Sequence, residues 1–239
     1  MEQNSMVQGE TPRNKDQKCP VVLVLDTSGS MDGEPMNELN AALQKFKDEV
    51  LMDSMLSNRL EVGIVCFDDD SRVERPIDLI STETVMPTLS IGGTTNVVSG
   101  MRSAMQIIED RKVFYKSNNE QYYRPFICLI TDGIPTNTPE EIDALDNEIQ
   151  QMADNKKFIF IPFGVGEADM TLLAKLAAQT ADQRLKEKAI AWKMKDFKSF
   201  ASVFAFVSAS ISAAMAAGTP QVAQMDPSVA QAVSIDLSN

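Results

Sequence analysis

The chain has 239 residues, with 22 Lys and Arg against 34 Asp and Glu, a net charge of −12, three cysteines and no histidine. That length suits one sizeable α/β domain with short tails rather than two full domains, and the acidity makes nucleic acid and anionic membrane surfaces poor partners. The missing histidine removes Ser-His triads, His-based acid–base catalysis and His-ligated zinc together.

In chain order, residues 1–16 are polar, lack the apolar core of a signal peptide and are expected to form a disordered tail. Residues 21–25 carry no polar side chain, as in a central parallel strand covered on both faces, and they deliver Asp26 to the carboxyl edge of a sheet. Open α/β sheets bind ligands at that edge. Met36, Leu39, Leu43, Phe46 and Val50 recur at spacings of three and four and predict a helix with one apolar stripe. A second strand spans 60–67. A third follows the Asp68-Asp69-Asp70-Ser71 turn over 73–80, and Pro76 within it points to a sheet edge.

Val97, Met101, Met105 and Ile108 mark the next helix, and 126–131 is another apolar strand, followed by Asp132 and Gly133. Thr138 is the expected cap of a helix that starts at Pro139 and buries Ile142, Leu145, Ile149 and Met152. A fifth strand at 158–165, a short helix at 170–178, a sixth strand at 189–193 and a last helix marked by Phe197, Phe200, Phe204, Val207 and Ile211 complete the alternation. Such alternation implies a parallel sheet with right-handed crossovers. The segment 218–239 has few large apolar residues and is expected to be largely disordered; the alternative is that 222–235 docks a partner as a short strand or helix. No stretch approaches the ~20 apolar residues of a membrane helix. Cys19, Cys66 and Cys128 form no CxxC pair, which fits a reducing compartment and a cytoplasmic chain.

The chemistry gathers at strand ends. Asp26, Ser28 and Ser30 set one carboxylate and two alternately spaced hydroxyls after a buried strand, and this suits magnesium, which wants near-octahedral oxygen ligation, keeps several waters and rarely takes more than one or two carboxylates. Gly92-Gly93-Thr94-Thr95-Asn96 and the strand running into Thr131-Asp132-Gly133 qualify to supply the rest. Each segment also has a purely structural reading. Ser or Asp caps the following helix, Thr95 and Asn96 cap the helix that begins there, and Asp132-Gly133 makes a turn.

In the order and spacing of these segments the chain resembles a von Willebrand factor type A domain with an intact metal-ion-dependent adhesion site. Its DxSxS motif is Asp26, Ser28 and Ser30, its threonine is Thr95 or, as the alternative, Thr94, and its distal aspartate is Asp132. Thr95 is preferred because the family places an apolar helix residue six positions after the metal threonine, which is Met101 from Thr95 but Gly100 from Thr94. The resemblance implies a doubly wound, Rossmann-like α/β domain over 17–217, with six strands in the order 3-2-1-4-5-6 and strand 3 as an antiparallel edge. It also implies that Ser28, Ser30 and Thr95 ligate Mg²⁺ or Mn²⁺ directly or switch in. Asp26 and Asp132 would then act largely through waters, and an Asp or Glu of a partner protein would complete the shell.

Within that superfamily the chain is most similar to the compact bacterial proteins of tellurium-resistance gene clusters, on residues 26–35, 92–96 and 131–136. The implied role is a cytoplasmic adaptor in a stress-response or phage-defence system beside kinase or phosphatase partners. Recruiting clients to an AAA+ ATPase of the chelatase kind is an alternative. An enzyme that uses Asp26 for phosphoryl transfer or hydrolysis is another, but the second acid such phosphatases place two residues later is Ser28 here, and neither a P-loop nor GxGxxG occurs. A non-enzymatic role is therefore expected. Met31, Ile91 and Ile134 are candidates for an apolar contact surface around the ion, with ordinary loop packing as the equal alternative, and Asp68, Asp69 and Asp70 read as a solvated turn rather than a second metal site.

Overall fold

The computed structural model describes residues 14–178, 191–218 and 223–233, and its centre is built from strands with no polar face. β1 (Cys19–Asp26) and β2 (Leu60–Phe67) are buried at every position. β3 (Ser71–Leu79) is largely half-buried or exposed, β4 (Phe126–Thr131) is again fully buried, and β5 (Ile159–Gly164), β6 (Ala191–Met194) and β7 (Ala230–Val233) follow. The hydrogen-bonded order is β3-β2-β1-β4-β5-β6-β7. β1, β2, β4, β5 and β6 run parallel, whereas β3 is antiparallel to β2 and β7 is antiparallel to β6. Register sets Asp26 beside Phe67 and Thr131 beside Gly164, so the segments leaving β1, β2, β4 and β5 emerge at one edge.

Side-chain alternation along β1 divides the core in two. Val21, Leu23 and Leu25 face α1 (Glu34–Met52), α2 (Ser54–Arg59) and α6 (Phe200–Ala217). Val22 and Val24 face α3 (Val97–Ser117), α4 (Pro139–Asp154) and α5 (Met170–Ala178). The stripe Met36, Leu39, Leu43, Phe46 and Val50 is buried as its spacing predicts, with the Phe46 ring 5.4 Å from that of Phe204. Each such fully buried side chain contributes about 1.5–3 kcal/mol. α4 starts with a capping box in which the Thr138 hydroxyl accepts from Glu141 N and the Glu141 carboxylate accepts from Thr138 N.

Several expectations are corrected. The sheet has seven strands, not six: within the expected disordered tail 218–239, residues 230–233 pair with β6, and Met225 and Ala230 are buried. Strand pairing supplies what the small side chains of that segment do not advertise. The sixth strand starts at Ala191, and the residues 189–190 expected to open it lie outside the described residues, as do 1–13 of the expected N-terminal tail. Residues 14–16 are placed, with Asn14 Nδ2 donating to Asn58 O at 2.7 Å. Residues Phe197–Ala217 are long and apolar enough to cross a membrane by length and composition, with mean hydropathy 1.8, contrary to the sequence expectation. In this fold Phe200, Val203, Phe204, Val207 and Ile211 are buried in the core against α1 and the sheet.

At the sheet's other edge, Glu61 is 2% exposed and is held by Arg111 Nε and Nη2 at 2.8 and 2.7 Å and by the Tyr115 hydroxyl. This pairing of a buried carboxylate with a guanidinium pins α3 to β2.

Candidate functional site at the carboxyl edge of the sheet

Asp26 ends β1 with no exposed surface, and both its oxygens are engaged inside the protein. Oδ1 accepts from Ser28 N at 2.9 Å and Oδ2 accepts from Thr131 Oγ1 at 2.5 Å. Asp26 therefore fixes the turn from behind and projects its charge through Ser28. The turn over Gly29–Met31 receives no side-chain cap from Ser28, which removes the capping reading for that hydroxyl. Instead Ser28 Oγ lies 3.0 Å from Ser30 Oγ, and Ser30 Oγ donates to Asp132 Oδ1 at 2.6 Å, closing a chain from the end of β1 to the end of β4.

Thr95 completes the group. It is buried and lines the same cleft as Ser28, Ser30 and Asp132, whereas Thr94 is exposed and donates its amide to Asp69. Gly133 measures the convergence, because a methyl group there would lie 3.0 Å from Thr95 Oγ1 and 3.5 Å from Ser30 Oγ. The helix cap expected of Thr95 and Asn96 falls to Asn96, whose side chain accepts from Ser99 N at 3.0 Å. All five residues singled out from sequence thus meet at the mouth of one open cleft of about 500 Å³ or directly beneath it.

The electrostatics follow from burial. Desolvation pushes the Asp26 carboxyl above its ordinary value; hydrogen bonds from Ser28 and Thr131 pull it back, and the charge of Asp132 pushes it up again. Burial likewise raises Asp132 against the hydrogen bond from Ser30. Among the described residues no Lys or Arg lines the cleft to balance the two carboxylates. Nor do three acidic or sulfur ligands gather anywhere among them. The donor set is two carboxylates and three neutral hydroxyls, which fits a hard divalent cation that retains waters and does not fit the nitrogen and sulfur ligands zinc prefers.

The acidic turn after β2 is more than solvated. Asp68 is buried, accepts from Thr27 Oγ1 at 3.1 Å and is ion-paired with Arg72, whose other guanidinium nitrogen reaches Thr27 Oγ1 and Ser90 O. Asp69 Oδ1 accepts from Thr94 N at 2.8 Å, Asp68 O from Asn96 N at 2.8 Å, and Asp70 Oδ1 from Ser99 Oγ at 2.6 Å. Gly29 N and Gly92 N close the ring onto Gly93 O and Thr27 O at 2.9 and 2.7 Å. The triplet is a clasp that holds the 92–96 loop in place, and it sets Thr95 at the cleft. Gly92 and Gly93 are required by it, since a Cβ on either would collide with the carboxylate of Asp68 or Asp69. Thr27 and Arg72 belong to the same support, while Thr131 backs Asp26; Thr27 and Thr131 adjoin motif residues, but nothing in the sequence marks Arg72 as a support. Of the apolar candidates, Ile134 is 64% exposed and Ile91 37%, but Met31 is buried in the core and offers no contact surface.

An open α/β sheet with a hydroxyl-and-carboxylate cleft at its carboxyl edge defines a binding domain of the doubly wound class. The von Willebrand factor type A domain family matches residues 21–205, and the chain belongs to that family, whose domains commonly mediate protein–protein interaction. It is 28% identical over 170 residues to inter-alpha-trypsin inhibitor heavy chain H4 of Homo sapiens, covering 66% of this chain and 17% of that protein. It is 27% identical over 152 residues to heavy chain H3 of Mesocricetus auratus, covering 61% and 16%. The chain thus spans about a sixth of the length of these relatives. Among solved structures, the vWF domain of the type V pili tip protein Mfa5 from Porphyromonas gingivalis superposes with a TM-score of 0.58 at 14% identity, covering 87% of this chain and 97% of that one. The ArnB paralog VWA2 from Sulfolobus acidocaldarius gives 0.55 at 17% identity, covering 80% and 45%. At such identities these two likenesses speak for the fold.

Proposed function

We propose that the domain is a metal-dependent protein-binding module in which Ser28, Ser30 and Thr95, backed by Asp26 and Asp132, hold Mg²⁺ or Mn²⁺ for a partner's carboxylate. The observation that carries this reading is the convergence of three hydroxyls and the Asp132 carboxylate in one open cleft with Asp26 buried directly beneath, both carboxyls raised in pKa and no Lys or Arg among the described residues lining the cleft. A divalent cation bound there supplies an electrophilic centre that takes an anionic oxygen from outside. Asp26 keeps the Ser28 turn in register, Asp132 orients Ser30, and the Asp68–Arg72 clasp fixes Thr95. We read the role as binding rather than catalysis because the chain has no histidine and both oxygens of Asp26 are taken by Ser28 N and Thr131 Oγ1, so Asp26 is not placed to act as a nucleophile.

The wider setting is read from the resemblance to tellurium-resistance proteins: a cytoplasmic adaptor in a bacterial stress-response or phage-defence system, working beside a kinase, a phosphatase or an AAA+ ATPase. An affinity pull-down from cell extract in Mg²⁺ or in chelator, with Asp26→Ala as control, tests it. A partner held by the native chain in Mg²⁺ alone is expected. The same partner held equally by Asp26→Ala in chelator would sink the proposal.

A further inference from the structure

The cleft has a second wall that the metal-ligand motif does not include. That wall is formed by Ile134, Gly166, Glu167 and Phe197, which line the cleft together with Ser28, Ser30, Thr95 and Asp132. Ile134 follows β4 and is largely exposed. Glu167 is exposed and has no ion-pair partner among the described residues. Phe197 is half-buried, with its ring 6.1 Å from that of Phe200. Gly166 has φ of +58°, and a Cβ there would lie 3.6 Å from Phe197 Cζ and 3.8 Å from Asp132 O. Gly166 thus packs close to both the Phe197 ring and the end of β4, and its positive φ would strain any side chain placed there.

We infer that this wall is a specificity subsite, which selects partner segments where the metal-seeking Asp or Glu is flanked by one large apolar residue and one Lys or Arg. The inference rests on the proposed function and names the partner chemistry for it. The apolar neighbour fits between Ile134 and Phe197, two hydrophobic side chains that otherwise remain partly in water. The cation fits Glu167. Charge complementarity argues for the second requirement. Asp132 and Glu167 are the charged residues of the cleft, no Lys or Arg lines it, and the whole chain carries −12. A partner with several acids around its binding carboxylate would be repelled everywhere but at the metal, whereas a lone acid beside a cation meets attraction at both points.

The test uses the native chain in Mg²⁺ and two bead-displayed peptide libraries, Ac-Gly-X-X-Asp-X-X-Gly and its counterpart with Asn in place of Asp. The expected result is retention that needs both Asp and Mg²⁺, with Leu, Ile or Phe on one side of the Asp and Lys or Arg on the other. Glu167→Gln should cut the preference for the basic residue by up to about fivefold, the range of an exposed ion pair, and Glu167→Lys should reverse it toward acids. Phe197→Ala should lower affinity for the apolar-flanked peptides about tenfold, as loss of an aromatic anchor does, with Ile134→Ala, at an exposed position, as the variant free of folding effects. Retention that depends on Asp and Mg²⁺ but ignores the flanking residues would overturn the subsite and leave the metal reading standing. No difference between the Asp and Asn libraries would overturn both.

Discussion

Replacing Asp26 with Asn separates the charge of the site from its hydrogen bonds. The carboxyl group of Asp26 is fully buried, and its pKa is raised, first by desolvation. A carboxyl whose folded pKa lies above its unfolded value contributes stability that is fully present below the unfolded pKa and is lost as pH rises through the folded pKa. At neutral pH the metal-free domain therefore carries the cost of ionised Asp26 and Asp132, and a bound cation offsets it. In Asp26→Asn the amide oxygen still accepts from Ser28 N, while the amide nitrogen donates to Thr131 Oγ1, whose hydroxyl turns away. The fold should survive, and the metal-free variant should melt at or above the native temperature.

The metal response should vanish. A ligand at one hundred times its Kd stabilises by about 2.7 kcal/mol, and ~2–4 °C per kcal/mol for a chain of this size gives a native shift of roughly 5–10 °C. Differential scanning calorimetry of both chains in EDTA and in saturating Mg²⁺ at pH 7 measures this directly. The native shift should also shrink as the pH falls into the raised carboxyl range, because protons then compete for the same oxygens. An equal Mg²⁺ shift in Asp26→Asn would refute the charge argument. A metal-free variant melting well below native would show that Asp26 serves chiefly as a structural acceptor.

Other outcomes follow from the support of the site. Gly92→Ala forces a Cβ into the carboxylate of Asp68, which Arg72 and Thr27 hold in place, and should cost about 1–3 kcal/mol in urea denaturation with weakened Mg²⁺ binding. Burial opposes ionisation of Asp68, but Arg72, the Asp69 amide and Thr27 outweigh it and hold its carboxyl below the ordinary value. The Asp68 contribution is therefore present at neutral pH and lost as pH falls through that lowered pKa, so native chain and Arg72→Met should differ in urea midpoint at pH 7 and converge in acid. Tyr115→Phe removes a hydrogen bond to buried Glu61 and should cost about 1.5–3 kcal/mol, read by denaturation, with metal affinity unchanged because Glu61, the second residue of β2, lies at the opposite edge. Met225→Ala should cost about 2–5 kcal/mol if the segment leading to β7 is part of the folded core.

What the sequence disclosed and what it hid divide along physical lines. β2 and β4 were legible to the residue because strands covered on both faces are almost wholly apolar, with Glu61 near the start of β2 and Thr131 at the end of β4 as the polar exceptions, and an aspartate follows each. The site was legible for the same reason, since Asp26 and Asp132 are the residues at which two such strands meet solvent-facing loops. β7 was hidden because Ala230, Gln231, Ala232 and Val233 have no apolar alternation of their own and gain their structure by pairing with β6. The clasp was hidden because three adjacent aspartates look solvated until Arg72 and the amides of the 92–96 loop are brought across the sheet to them. Met31 could be read either as rim or as packing from its place after the motif, and the turn over Gly29–Met31, which folds it inward, selects packing.

The most direct measurement is calorimetric titration of chelator-stripped native chain and Asp132→Ala with Mg²⁺ and with Mn²⁺. One binding site in the native chain and none in the variant is the expected result. A native chain that binds neither ion, or two chains that bind alike, would contradict the reading of Asp26, Ser28, Ser30, Thr95 and Asp132 as a metal centre.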